Sequence, residues 1–490
     1  MKNKNIIIHV IQVLLIICFI ISITPKEFQN DTFFTIVIGN RVLEHGVETE
    51  EHLVWHEGLE YTNSRWLFDA IIAIINNNFG YTGIYVFVMF IASLQGILYY
   101  YIINKITKNK YISFLITLFI MYASRNAIAA RSQVVSFLLF ILEFYVIEKM
   151  LETNKNRYFV ILSVIPLLLV NVHASVFPMY FVIFLPYIAE FILAKLKINI
   201  NENIVIENRN IKKLIIALIL GIIFSFCTPK GVSPYTDMFK AMGGISIDII
   251  TELQPIDITE EFYFWMMLII SIFVMMFTKT KLKITDGFFI LGFALMSLVT
   301  YRTIFFFYLI SSIGIIRMIN DFIKENKAEN IKINNKIKIL IVTMIYIAIG
   351  ITSINRLYAK LIYDYVDTVN YPVNATNYIL NNVDLENMKI YNHFNFGSYL
   401  ELNGIKAFID SRSGVFTEEF NPGTTILNDW WEACYGSTHY SKVFDKYNIT
   451  HALLYNEELI TIYISEDEDW NLIYQDDKFS IYERVSDKDM

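Results

Sequence analysis

Charge is scarce in this chain. Only 18% of its 490 residues are charged, against 55% hydrophobic and 16% aromatic, and the mean hydropathy is +0.45. A soluble domain carries about a quarter of its residues as charge, so the composition excludes an ordinary soluble enzyme. Cysteine is equally rare. Cys18, Cys227 and Cys434 allow at most one disulfide, and two of them lie in or at the end of apolar runs, so a disulfide framework is excluded. There is no Gly-x-x-x-x-Gly-Lys loop and hence no ATPase engine. No Cys/His pattern has zinc spacing, and there is no Gly-x-Ser-x-Gly elbow. The net charge of −7 and an acidic tail (Glu466 to Asp469, Asp476, Asp477) argue against nucleic acid as a partner.

Long hydrophobic runs are what the chain does have. About 30 Å of hydrocarbon needs roughly 20 apolar residues in a helix. Runs of this kind recur at 5–23, 81–104, 111–124, 132–149, 157–172, 175–195, 213–228, 261–278, 284–300, 303–323 and 337–355. The expectation is a polytopic α-helical membrane protein of about eleven spans. No small-residue cleavage site follows the first run, since Thr24-Pro25-Lys26 leads directly into a polar segment. It therefore reads as a span and not as a signal peptide. Alternate loops carry the lysines, among them Lys2/Lys4, Lys105/Lys108/Lys110, Lys155/Arg157 and Lys279/Lys281/Lys283. That bias puts the amino terminus in the cytoplasm and the carboxyl-terminal domain outside, in the plasma membrane.

The expected organisation is a transmembrane domain over 1–355, with outer loops 24–80 and 229–260, followed by a small extracytoplasmic α/β domain over 356–490. In that domain strands are expected at 388–392, 405–410, 450–455, 471–475 and 478–483. Helices are expected near 372–382, 396–402, 424–433 and 440–447. Residues 66–76 are too short to span and read as an interfacial helix.

Chemistry concentrates on the outer side. The first loop crowds Asp31, His45, Trp55, His56 and Trp66 against the bilayer, where polar groups cost energy and mark a site. Asp31 reads either as a general base or oxygen ligand for a cation, or as the cap of a helix starting at Thr32. Glu252, in Thr251-Glu252-Leu253-Gln254-Pro255, is the second acid, with a solvated loop glutamate as its plainer reading. Arg125, Arg131 and Arg302 stand at outer span ends, where a planar guanidinium suits a lipid phosphate; snorkelling or a structural ion pair is the alternative. His173, in Asn171-Val172-His173, reads as a catalytic candidate or as a hydrogen-bonded structural residue.

Asp31-Thr32-Phe33-Phe34 followed by His45-Gly46 resembles the first outer loop of the GT-C superfamily of integral-membrane glycosyltransferases. Thr251-Glu252-Leu253-Gln254-Pro255 is similar to an acidic motif in a later outer loop of oligosaccharyltransferase catalytic subunits, where the glutamate belongs to the active site. Asn171-Val172-His173 and Phe408-Ile409-Asp410-Ser411-Arg412 look like motifs of a group of uncharacterised bacterial GT-C-like proteins. Trp430-Trp431-Glu432-Ala433-Cys434-Tyr435-Gly436 resembles an oligosaccharyltransferase sequence with its aspartate replaced, and packing of the tail is the preferred reading.

The resemblance implies a GT-C-type glycosyltransferase that uses a polyprenyl-phosphate-linked sugar donor. Its partners would be that lipid-linked donor, an extracytoplasmic glycan, lipid or protein acceptor, and membrane lipids. Asp31, Glu252 and His173 would be the catalytic candidates and Arg125, Arg131 and Arg302 the phosphate-binding ones. Asp31 and Glu252 would also ligate Mg2+ or Mn2+ if a metal takes part. The alternatives are a transporter or flippase of a lipid-linked or polar solute, or a non-catalytic membrane scaffold. Few charges lie deep in the spans and no repeat is evident, which disfavours transport.

Overall fold

The structure is a computed structural model that describes residues 2–61, 63–240, 249–257, 259–325 and 334–485. Residues 241–248 of the expected second outer loop lie outside the described residues. The chain forms two compact units. The first comprises Met1–Pro25, Tyr85–Gly231 and Ile250–Ile362, and the second Lys26–Ile84, Val232–Ile249 and Tyr363–Met490. Both expected outer loops thus contribute residues to the unit that holds the tail.

The first unit is helical. It contains α1 (Lys2–Ile23), the second part of α3 (Trp66–Thr107), α4 (Lys110–Ala123), α5 (Gln133–Thr153), α6 (Asn156–Val172), α7 (Met179–Lys195) and α8 (Lys212–Ser225). Farther along are Phe262–Phe277, Ile284–Val299, Ser312–Glu325 and Asn335–Ala359. Every expected apolar run is helical over most of its length. By length and composition, four helices among the described residues can cross a membrane: Ile6–Ile23, Trp66–Thr107, Tyr301–Glu325 and Ile339–Ile362. Lys110–Ala123, Asn156–Val172, Phe262–Phe277 and Ile284–Val299 are apolar but shorter. The expected count of about eleven spans is thus not matched by this measure, mainly because several of the helices are shorter than 18 residues.

Polar side chains tie these helices where water cannot. Gln12 of α1 donates to the Lys110 carbonyl (3.0 Å) and to the Tyr346 hydroxyl (2.6 Å), and it accepts from Tyr100 (2.7 Å). An amide in an apolar bundle has no alternative partner, so one residue fixes four helices together.

The second unit opens with α2 (Asn30–His45) and the first part of α3, which ends where Gly80 takes φ 61°. Only glycine adopts that conformation freely, so the helix expected at 66–76 is separated there from the span that follows. Its sheet has the order β1-β2-β4-β3, with β1 Ile390–Asn392, β2 His451–Tyr455, β3 Trp470–Gln475 and β4 Phe479–Arg484. β1 and β2 are parallel; the other pairs are antiparallel. Helices Val373–Asn382, Gly397–Leu402, Ile426–Cys434 and Tyr440–Tyr447 match expectation, and Leu459–Ile464 is an addition.

The strand expected at 405–410 is not formed. The Asn392 side chain accepts from the Phe408 amide (2.7 Å) and donates to the Ile409 carbonyl (2.8 Å). Ala407 bridges Val54 instead of a sheet neighbour. Val54 and Leu59 of the first outer loop are buried in the tail's own core.

Gly39 of α2 sits directly on α3: a Cβ there would lie 2.1 Å from the Asp69 carbonyl oxygen. Backbone cannot yield to that. Gly39→Ala should cost about 1–3 kcal/mol through overpacking and lower the melting temperature by several degrees. An unchanged thermal transition in detergent would show that the two helices do not pack this closely.

Candidate functional site

Glu252 and two arginines form the clearest charged constellation of the first unit. Glu252 lies on a single 3-10 turn, Thr251–Leu253, which stops because Gln254 precedes Pro255 and takes extended angles (φ −74°, ψ 161°). The Gln254 carbonyl accepts from the Tyr301 amide at 2.8 Å, pinning this turn to the one that carries Arg302. Arg131 pairs with the carboxylate through Nη1, and its Nη2 lies 3.4 Å from Oε2. Arg302 Nη2 approaches the same Oε2 at 3.5 Å. The three side chains are 18–35% exposed, so they are partly dry yet open to an incoming anion.

The remaining first-unit candidates stand apart from this group. Arg125 donates to the Tyr122 carbonyl (3.0 Å) and lies over the Tyr122 ring at 4.5 Å. His173 ends α6, is buried, and shares a 3.0 Å hydrogen bond with Ser136 Oγ through Nδ1. Asn171 donates to the Cys227 carbonyl at 3.0 Å, so the Asn-x-His motif braces the helix end.

Asp31 belongs to the second unit. The helix starts at Asn30 after Gln29, so Asp31 lies inside its first turn and is not the capping residue. A carboxylate there is favoured by the helix dipole. Its charge partner is Arg65, which the sequence reading did not single out. Arg65 Nη1 is 4.0 Å from Asp31 Oδ2, Nη2 donates to Thr35 Oγ1 (3.0 Å), and Nε is 3.3 Å from Asp69 Oδ1. The guanidinium also covers the Phe34 ring at 4.0 Å. In the sequence Arg65 shows only as a cation just before an apolar helix, which does not announce its partners.

The aromatic and histidine residues of the first outer loop have structural partners. Trp55 Nε1 donates to the Ile390 carbonyl and His56 Nε2 bonds to that of Phe408, both at 2.9 Å. Burial holds His56 down at about 4, so it stays neutral. Asp410 and Arg412 do form the ion pair expected of them, and they gain two unforeseen members. Arg412 Nη2 is 3.0 Å from Glu51 Oε1 and 3.3 Å from Glu401 Oε1, and all four side chains are at most 4% exposed. Burial, and then the Asp410 charge, push Glu401 well above the usual carboxylate range.

Among the described residues no three His, Cys, Asp or Glu side chains converge as a metal-ligand set. Glu252 is engaged by two arginines, and Asp31 faces a third. This donor chemistry does not fit a divalent cation, which would have to compete with guanidinium at either carboxylate.

Comparison with known proteins gives no matching family model and no matching curated protein. Solved structures do match, and the architecture they share is that of the GT-C glycosyltransferases. The chain therefore shares the fold of these structures, with four helices among the described residues long and apolar enough to cross a membrane and a small carboxyl-terminal sheet. One such structure is ArnT from Cupriavidus metallidurans bound to undecaprenyl phosphate, with a TM-score of 0.57 and 9% identity over 98% of both chains. Another is the oligosaccharyltransferase AglB from Archaeoglobus fulgidus, in complex with an inhibitory peptide and a dolichol-phosphate. It gives a TM-score of 0.57 and 11% identity over 92% of this chain and 69% of that one. At such identities the likeness is one of fold.

The tail also buries an unexpected pair: His393 Nε2 lies 3.9 Å from Glu458 Oε1. Burial raises Glu458 from 4.5 to about 8 and lowers His393 from 6.5 to about 4. A carboxyl raised on folding contributes stability that is full below pH 4.5 and lost as pH rises through 8. The histidine's contribution is full above pH 6.5 and lost as pH falls through 4. Glu458→Gln should therefore gain on wild type in melting temperature between pH 5.5 and 8.5. A difference that does not change with pH would refute the shift.

Proposed function

We propose that the protein is a membrane glycosyltransferase. It takes a sugar from a polyprenyl-phosphate-linked donor in the outer leaflet and passes it to an extracytoplasmic glycan, lipid or protein acceptor. The observation that carries this is the GT-C fold, matched over 98% of the chain by a structure bound to undecaprenyl phosphate. A paired-arginine constellation at span ends is the second support.

In the proposed reaction an acceptor hydroxyl or amide attacks the anomeric carbon as the bond from that carbon to the phosphate oxygen breaks. The acceptor proton passes to a general base, for which Asp31 of the second unit is the candidate, and the bonding pair leaves on the phosphate. Arg131 and Arg302 are assigned to that phosphate, where two guanidinium forks meet the charge that grows on the leaving oxygens. Arg125, stacked on Tyr122, is assigned to longer-range attraction, and His173 to positioning of the α6 end. Glu252 is the electrostatic partner of the arginines. No step is routed through a metal. The amino terminus is assigned to the cytoplasm and the second unit to the outer side, on the lysine bias of alternate loops.

The test is sugar transfer or donor hydrolysis by purified protein in detergent, with polyprenyl-phosphate and polyprenyl-pyrophosphate sugars. Removal of a general base costs about 10²–10⁴ in rate, so Asp31→Asn should lose at least a hundredfold in kcat. Addition of a chelator should leave wild-type turnover unchanged. Full activity in Asp31→Asn would remove Asp31 from the mechanism, and no turnover with any donor would count against the enzyme.

A further inference from the structure

The Glu252 carboxylate sits where a phosphate would be expected. Its two oxygens take the Arg131 guanidinium in a forked approach, and one of them is shared with Arg302 at 3.5 Å. Two arginines around a planar O–C–O group reproduce the way guanidinium forks hold an O–P–O group. Glu252 stands on a single turn, held through the Gln254 carbonyl, and its side chain is about one-third exposed. A carboxylate so placed can leave its partners by side-chain rotation alone. Arg131 is fixed beside the start of α5 and Arg302 on the Tyr301–Thr303 turn.

We infer that Glu252 is an intramolecular placeholder for the donor phosphate: it occupies the Arg131–Arg302 clamp in the empty protein and is displaced when a phosphate anion enters. The inference rests on the assignment of these arginines to phosphate made above. It gives Glu252 a role distinct from metal ligand or base. With Glu252 seated, the three side chains sum to one positive charge; with it displaced, the clamp offers two. Two guanidinium groups in a half-dry site repel each other, and the glutamate relieves that repulsion until the lipid arrives. A competing carboxylate also lowers affinity, which favours release of the polyprenyl phosphate product after transfer.

Equilibrium binding of undecaprenyl phosphate and, separately, of inorganic phosphate to the full-length protein in detergent tests this. Glu252→Gln keeps the shape of the side chain and removes the competing charge. It should bind undecaprenyl phosphate about two- to fivefold more tightly than wild type, the equivalent of a partly exposed ion pair. Glu252→Asp, too short to reach both arginines, should fall between the two, and Arg131→Gln should weaken binding. Tighter binding of inorganic phosphate as well would locate recognition in the anion; tighter binding of the lipid alone would add the isoprenoid chain. Both support the placeholder. Unchanged or weaker binding by Glu252→Gln, with a wild-type melting profile, overturns it. Unchanged binding by Arg131→Gln and Arg302→Gln overturns instead the phosphate assignment on which it rests.

Discussion

An arginine taken out of water cannot shed its charge, so the protein must supply the anions that water no longer screens. This constraint shapes both units. In the second, Arg412 is buried among Glu51, Glu401 and Asp410, which come from the first outer loop, a tail helix and the Asp-Ser-Arg turn. Three carboxyl groups crowd one guanidinium, and burial together with the Asp410 charge pushes Glu401 well above the usual carboxylate range. In the first unit Arg317 lies 2.8 Å from both Glu148 and Asp286, and Arg209 gathers Glu190 and Glu207. Each guanidinium thereby fixes the relative positions of segments that are distant in sequence.

The same constraint explains why the tail is not a free-standing module. Its sheet is short, with a three-residue strand at one edge. What completes it is the loop from 46 to 61. Leu53, Val54 and Trp55 run beside Ala407, and Trp55 and His56 bond to carbonyls of the tail. Glu51 enters the Arg412 cluster from the same loop. The polar crowding that stands out in the sequence therefore has two causes. Trp55, His56 and Glu51 serve folding, while Asp31 near the α2 start faces Arg65.

Much of the fold was legible because apolar runs and turn residues report local structure directly. Every long run became a helix, and the tail's strands and helices fell within a few residues of expectation, apart from 405–410. That segment failed because the Asn392 side chain claims two of its backbone groups, a tertiary choice with no local signature. The likeness in fold to membrane glycosyltransferases agrees with the resemblance carried by short motifs. Partnerships were far less legible. Nothing in Ser64-Arg65-Trp66 announces that Arg65 faces both Asp31 and Asp69, and nothing local joins Glu51 to Arg412 across 361 positions. Charge pairs between distant segments are set by topology, which single-sequence periodicity does not encode.

The contrast between the two arginine environments bears on what each can do. Arg412 has three carboxylates and almost no exposure, so no ligand could displace its partners without leaving buried charge unpaired, at about 3–5 kcal/mol. Arg131 and Arg302 share one carboxylate on a short turn, and the exposure of all three lets an incoming anion replace it with little desolvation. Arg412, held by three buried carboxyl groups, is a structural post. The Phe-x-Asp-x-Arg motif of the tail therefore belongs to folding. The Glu252 constellation, assembled from three segments far apart in sequence, is the group we assign to a phosphate.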